Sequence, residues 1–257
     1  MSLNVQGRDE ATLKKSAEIR RNAQANTPSK NTSSKNPLQK AVPATGVILA
    51  GGRSRRMGQN KAFLQLGDSP LIEHVIHHMR LVTDELLLIT NTPTEYTHLG
   101  LPMHSDRVPD AGALGGIYTG LTYASHDVVV CVACDSPFLR PKLLSYLVAI
   151  LGEYDAVMPY TYSSNKDIGV TNPSASNDRI TLQTLCAAYS KRCLPTIALM
   201  LQESELRLHA LAERAYIQRV SPEVWQKFDS EGMSFFNINT PQDFEKADSY
   251  MRMQVTQ

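Results

Sequence analysis

Four cations fall within nine residues of one loop, just after a pair of glycines. Arg53, Arg55, Arg56 and Lys61 follow Gly51 and Gly52 in the run Leu49-Ala50-Gly51-Gly52-Arg53-Ser54-Arg55-Arg56-Met57-Gly58-Gln59-Asn60-Lys61. Glycines let the main chain turn tightly and approach a ligand closely. The N–H groups they expose make a concave anion site, and guanidinium and ammonium groups add charge-assisted bonds. A polyphosphate fits that combination. The loop is not a Walker A sequence, because Gln59-Asn60 follows Gly58 and Lys61 has no Ser or Thr beside it, and it is not G-x-G-x-x-G. A solvated basic turn is the plainer use of the same residues.

Further groups carry candidate chemistry. Asp135 follows the apolar run Val128 to Cys134 and precedes Ser136-Pro137. A carboxylate held there suits Mg2+, which takes oxygen ligands at about 2.0–2.1 Å and usually only one or two protein carboxylates beside substrate phosphates. Capping the next segment is the alternative. His104-Ser105-Asp106, with Asp110, leads into Gly112-Ala113-Leu114-Gly115-Gly116. Asp106, ending a short strand, could contact ribose or metal, and Gly112 and Gly115 would let a helix N-terminus approach a phosphate or pterin. An Asx turn accounts equally for these residues.

Asn237 and Asn239, in Asn237-Ile238-Asn239-Thr240-Pro241, are two apart and so share one face of a strand. Their amides suit uncharged polar groups or a metal-bound water, with capping as the alternative. His74 and His78 stand one helical turn apart, a metal-pair spacing, but no third ligand is evident and a surface helix face is expected. Cys131-Val132-Ala133-Cys134 has the C-x-x-C form. Positions three apart on a strand point to opposite faces, so buried, reduced thiols are the better reading.

The elements that must position these groups follow from periodicity. Strands are expected at 46–50, 86–90, 128–134, 156–160, 185–189 and 215–220. Apolar Leu71, Ile72, Val75, Ile76, Met79 and Val82 predict a helix over 71–82, with Asp68 or Ser69 as cap. Further helices are expected at 112–124, 141–151 and 194–201. A last one starts at Pro241, with Thr240 as cap and Asp243 in its first turn. Strands alternating with helices predict a three-layer, Rossmann-like α/β fold with a mostly parallel central sheet. Ligands of such sheets bind at the carboxyl ends of strands, where the glycine–arginine loop, Asp106, Asp135 and the asparagine segment all fall.

The 257 residues, 42% hydrophobic and 20% charged, suit one large domain with an appendage. Residues 1–45 hold eight Lys/Arg and three Asp/Glu, a charge of +5, which leaves −4 for the rest. The body is therefore not a nucleic-acid binder by composition. Residues 1–43 read as a disordered basic extension, residues 44–257 as the folded domain, and 161–182 as a polar insertion or lid. No apolar run reaches the roughly 18 residues of a membrane span, and the N-terminus lacks a signal-peptide core. A cytoplasmic location is expected.

Gly46 to Gly52 with Arg55-Arg56-Met57-Gly58 and Lys61, then Cys134-Asp135-Ser136-Pro137, then Asn237 to Pro241, resembles the molybdenum cofactor guanylyltransferase family over about residues 45–250. The Leu-Ala-Gly-Gly loop alone is shared with other nucleotidyltransferases; the three motifs in this order are more specific. The resemblance implies a nucleotidyltransferase fold and transfer of GMP from GTP to molybdenum–molybdopterin, with Mg2+ as cofactor. It implies that Leu49, Ala50 and Gly51 contact GTP through the backbone and that Lys61 holds its phosphates. Asn91 and Asp106 match GTP-contacting positions, and Asp135 matches one that binds both Mg2+ and GTP. Asn237 and Asn239 would face the acceptor, and Arg55 and Arg56 would join Lys61 on the pyrophosphate. The basic tail lies outside the family core, and Thr184 stands where relatives commonly show Pro. Cofactor-maturation proteins or molybdoenzyme chaperones would be the partners of such a tail, and a solubilising extension is the alternative.

Other readings differ in substrate or class. A cytidylyltransferase acting on the same cofactor and a sugar-1-phosphate nucleotidyltransferase share the loop, although Gly52 and Met57 resemble the GTP users. A nucleotide-binding regulator without turnover is the rival of another class, against which Lys61 and Asp135 both stand.

Overall fold

The computed structural model describes residues 42–51, 60–163 and 179–255. The basic extension to residue 41, Gly52 to Gln59 and residues 164–178 of the expected insertion lie outside them.

Ten strands and seven α-helices are described. The strands are β1 (Ala44–Leu49), β2 (Gln65–Leu66), β3 (Ser69–Pro70), β4 (Glu85–Ile89), β5 (Met103–His104), β6 (Val128–Ala133), β7 (Ala156–Ser163), β8 (Arg179–Leu182), β9 (Cys186–Ser190) and β10 (Ile217–Val220). The helices are α1 (Leu71–Arg80), α2 (Gly112–Tyr123), α3 (Pro141–Ala149), α4 (Leu194–Gln202), α5 (Leu211–Arg214), α6 (Pro222–Trp225) and α7 (Pro241–Val255). The main sheet runs β10-β7-β9-β6-β1-β4-β5, with β8 added to β7. β1 lies parallel to both β4 and β6, β4 to β5, and β10 to β7. Only β9 within that path runs the other way, antiparallel to β6 and β7.

The apolar strands are buried on both faces, as a helix-covered parallel sheet requires. Ile48, Val130 and Val132 face one core, which Ile72, Val75, Leu143 and Leu147 of α1 and α3 complete. Val47, Leu49, Val129 and Cys131 face another, closed by Leu114, Ile117 and Ile197 of α2 and α4. Cys131 and Cys134 thus project into opposite cores, and all four cysteines are free thiols. A third, smaller core joins Leu66, Leu71, Phe138, Phe236, Ile238 and Ala247, tying the C-terminal segment to the β2–β3 hairpin.

Several expectations need correction. α1 has Pro70 at its cap position and no side-chain cap, because Ser69 belongs to β3 and Gly67 (φ +61°) with Asp68 makes the hairpin turn. The face carrying His74 and His78 is partly covered. His74 Nε2 lies 2.9 Å from the Leu66 carbonyl, and burial, with His77, His74 and Arg140 nearby, lowers His78 to about 4. Residues 161–182 do not break the sheet at their ends: β7 continues to Ser163 and β8 returns beside it, pairing Ser163 with Arg179. Asn237 and Asn239 lie on an extended segment outside any strand. They still alternate in exposure with buried Phe236 and Ile238, because extended backbone keeps the twofold repeat.

Candidate active site

The carboxyl ends of β1, β4, β5 and β6 open into a cavity of about 1230 Å3. That exceeds the roughly 300–1,000 Å3 usual for a single small ligand. Leu49, Ala50, Gly51, Lys61, Asn91, Asp106, Gly112, Asp135, Asn237 and Asn239 all line it. Parallel strands deliver the loops that follow them to the same edge, and Ile238 N, donating to Asp135 O (3.0 Å), joins the Asn237–Asn239 segment to it, so residues up to 190 positions apart meet.

The edge is held by main-chain bonds. Ala50 N donates to Ile89 O (2.9 Å), Cys134 N to Leu49 O (3.1 Å), and Thr90 N to His104 O (3.0 Å). Each extends the ladder one residue beyond its strand, so Gly51, Asn91 and Asp135 leave from fixed points. Among the described residues, no atom lies within 4 Å of a Cβ built on Gly51, and Gly51 lines the cavity.

Asp135 is the most constrained acid of the site. Burial raises its carboxyl above the usual range, opposed by a backbone hydrogen bond and by the charge of Lys61. Its Oδ1 is buried and has no hydrogen-bond partner among the described residues. Such an oxygen costs desolvation energy unless a cation or donor meets it. Lys61 is only 7% exposed. Its ammonium donates to the Asn239 main-chain oxygen at 2.8 Å and to Asn239 Oδ1 at 3.4 Å.

Asp106 and Asn91 lock each other. Asn91 Nδ2 donates to Asp106 Oδ2 (2.8 Å), and Asp106 N donates to Asn91 Oδ1 (2.9 Å). This leaves Asp106 Oδ1, buried and without a partner among the described residues, as the free acceptor of the pair. Arg107 N, next in the chain, is anchored on the buried Thr119 hydroxyl of α2 (3.0 Å). Ser136 Oγ donates to Asn237 Oδ1 (2.7 Å), so the residue after Asp135 holds the Asn237 amide at the cavity.

The glycines at the start of α2 divide their tasks. Asp110 (φ 57°) and Gly112 (φ +58°) flank Ala111 in left-handed conformations and line the cavity. The helix begins there without a side-chain cap. Gly115 does not reach the cavity: a Cβ on it would meet Ala111 Cβ at 2.7 Å, so it serves the packing of its own turn. Gly116 lines the cavity instead, against Leu49.

Among the lining residues that had no role from sequence are Asn60, Glu95 and Tyr96. Asn60 Nδ2 donates to Glu95 Oε2 (2.7 Å) and to the Tyr96 hydroxyl (2.8 Å), while its Oδ1 accepts from Ala62 N (3.1 Å). Burial pushes Tyr96 up to about 12, so it stays a neutral phenol. Together they anchor the turn that carries Lys61. Only Asn60 carried a local signal, as the cap of the short helix Lys61–Phe63. Arg53, Arg55 and Arg56 lie outside the described residues. Among those described, no group of three or more His, Cys, Asp or Glu is placed to hold a metal, and no helix is long and apolar enough to cross a membrane.

Comparison with known proteins narrows what this arrangement belongs to. Residues 46–219 match the MobA-like NTP transferase domain. Over 210 residues the chain is 31% identical to a molybdenum cofactor guanylyltransferase of Desulfosudis oleivorans, covering 81% of this chain and 96% of that one. Its fold is shared with the crystal structure of molybdopterin-guanine dinucleotide biosynthesis protein A from Archaeoglobus fulgidus, with a TM-score of 0.64 at 23% identity over 81% of this chain and 99% of that one. It is also shared with 2-C-methyl-D-erythritol 4-phosphate cytidylyltransferase from Thermus thermophilus, with a TM-score of 0.57 at 18% identity over 80% and 98% of the two chains.

Proposed function

The chain belongs to the MobA-like NTP transferase family, and from that premise we propose that it transfers GMP from GTP to molybdenum–molybdopterin, forming molybdopterin guanine dinucleotide and releasing pyrophosphate. The observation that carries the reading is the buried Asp135 oxygen, without a partner among the described residues and within the field of the Lys61 charge, in a cavity large enough for two substrates. Guanine as the base rests on the relative's name.

The donor set suits Mg2+. Asp135 offers a hard oxygen without a partner among the described residues, and Mg2+ commonly takes only one or two protein carboxylates, completing its shell with substrate phosphates and water. Bound there, Mg2+ would neutralise charge on the reacting phosphates. The rest falls to the chain's own groups, because positioning and charge neutralisation dominate phosphoryl-type transfer. An oxygen of the molybdopterin phosphate attacks the α-phosphorus of GTP. The new P–O bond forms as the bond to the β-phosphate oxygen breaks, and pyrophosphate leaves. Lys61 meets the negative charge gathering on the leaving group, with Arg55 and Arg56 proposed as its partners from sequence alone. The backbone of Leu49, Ala50 and Gly51 receives the nucleotide. Asp106, held by Asn91, offers its free oxygen to the nucleoside, so Asn91 acts largely through Asp106. Asn237, Asn239 and the start of α2 at Gly112 form the acceptor wall. The four free thiols fit a reducing, cytoplasmic setting.

Pyrophosphate release, measured with each of the four NTPs and a molybdopterin acceptor, tests the reading. GTP should be preferred. Lys61→Ala and Asp135→Ala should each lower turnover about a hundredfold or more, since one preorganised charge-stabilising group is worth about 2.7–4 kcal/mol. Preference for CTP would move the chain to the cytidylyl users, and a variant within a few-fold of wild type would remove that residue from the chemistry.

A further inference from the structure

Lys61 is held from outside the nucleotide half of the chain. Among the described residues both acceptors of its ammonium are atoms of Asn239, 178 positions away and beyond the family match, which ends at residue 219. The stronger contact, at 2.8 Å, is to the main-chain oxygen. That oxygen belongs to the same peptide plane as the N–H of Thr240, and in a trans peptide the two point in opposite directions. The Thr240 N–H donates to Asp243 Oδ2 at 2.9 Å, and the preceding N–H of Asn239 donates to the same oxygen at 3.0 Å. Asp243 is itself fixed in the first turn of α7, its N–H donating to Thr240 Oγ1 at 3.1 Å.

A carboxylate, a peptide group and an ammonium therefore stand in line. The carboxylate polarises the N–H, and the peptide passes that polarisation to its carbonyl, strengthening it as an acceptor. The plane is pinned at both ends. A lysine side chain forfeits rotamer entropy when it is ordered, and its ammonium has three hydrogens to place. With two directed at Asn239, the third has no acceptor among the described residues and can serve a ligand in the cavity that Lys61 lines.

We propose that Asp243 is a positioning residue for Lys61, fixing the Asn239–Thr240 peptide so that its carbonyl holds the ammonium ready for a nucleotide phosphate. The inference rests on the proposed role of Lys61 but not on the identity of the base. The C-terminal helix would then contribute to nucleotide affinity without touching nucleotide.

The test is a double-mutant cycle on equilibrium binding of magnesium-nucleotide to the full chain, using whichever of the four NTPs the wild type binds. Asp243→Ala should weaken binding about tenfold in the wild-type background and less than twofold when Lys61 is already Ala. Thr240→Ala removes the side-chain cap of α7 but leaves both N–H bonds to Asp243 Oδ2. It should lower the melting temperature comparably and change affinity less than twofold. Asp243→Asn, which keeps an accepting oxygen at the same reach, should restore affinity to within about threefold of wild type. Equal losses in the two Lys61 backgrounds, an affinity loss from Thr240→Ala matching that from Asp243→Ala, or an Asp243→Asn variant as weak as Asp243→Ala would each overturn the positioning role. A wild type that binds no NTP would instead overturn the functional reading, and this inference with it.

Discussion

Asp135, in its proposed role at the metal, shows what such a residue costs the fold. Its carboxyl is raised by burial, and one oxygen finds no donor among the described residues. A carboxyl whose folded pKa is raised favours the folded state at pH values below its unfolded pKa, and that advantage is lost as the pH rises through the folded value. At neutral pH the ionised form therefore works against folding. Asp135→Asn should raise the melting temperature in magnesium-free buffer by a few degrees, as about 1 kcal/mol shifts a domain of this size by roughly 2–4 °C. The same change should abolish transfer. A lower melting temperature for Asp135→Asn would mean that the carboxylate is satisfied in the folded protein. Asn91 and Asn60 teach a different lesson at this scale. Both line the cavity, yet their amides are committed to Asp106, and to Glu95 and Tyr96, so they set geometry more than they meet ligand.

At the scale of elements, α2 links packing to the site. It is glycine-rich not only at its start but also where it crosses β1. A Cβ at Gly120 would lie 2.6 Å from Val47 Cγ1, and one at Gly116 would lie 3.1 Å from Leu49 Cδ2. The close approach sets the helix over the strand end that carries Ala50 and Gly51. Gly120→Ala should therefore destabilise by about 1–3 kcal/mol through overpacking, although alanine favours a helix by up to about 1 kcal/mol. Urea denaturation checks this, and a neutral or stabilising Gly120→Ala would show that α2 can lift from β1 at no cost. Periodicity disclosed α2, α1 and the parallel strands well, because each buries a regular face. It did not disclose that β9 runs antiparallel. Strand direction depends on connections, and a buried apolar run such as Cys186-Ala187-Ala188-Tyr189 reads alike in both directions.

Across the whole molecule, Glu85 ties three segments together at the end of the sheet opposite the cavity. Glu85, opening β4, accepts from the Thr45 hydroxyl of β1 (2.6 Å) and from Ser125 N and Oγ (2.8 Å each), just before β6. Thr45 Oγ1 also lies 3.0 Å from His126 Nδ1. Burial disfavours the charged carboxylate, but these hydrogen bonds, with His126 nearby, hold Glu85 below its usual pKa of 4.5. A lowered carboxyl contributes stability above the unfolded pKa and loses it as the pH falls through the folded value. The wild type should therefore weaken as the pH drops below about 4.5. Glu85→Gln should be flatter across that range and less stable at neutral pH by on the order of 1 kcal/mol. Acid limbs that superimpose in thermal melts would remove that role from Glu85.

The alternation of strands and helices, the loop edge on which the candidate residues gather and many of the residues that line it were legible in the sequence alone. Those properties are local. Hydrophobic periodicity needs only neighbours, and a parallel sheet sends every loop after a strand to one edge. Lys61, Asp106 and Asp135 were legible for that reason, Asn237 and Asn239 through their twofold spacing and motif, and the glycine–cation loop already suggested a polyphosphate. Tertiary structure decided what each residue does with its atoms. Gly115 turned to packing and Gly116 to the cavity, because one residue along a helix rotates a side by about 100°. Asn91 was committed to Asp106, and Lys61 to a peptide 178 positions away. Such partnerships depend on distances that open only when the chain closes on itself, and neither composition nor spacing records them.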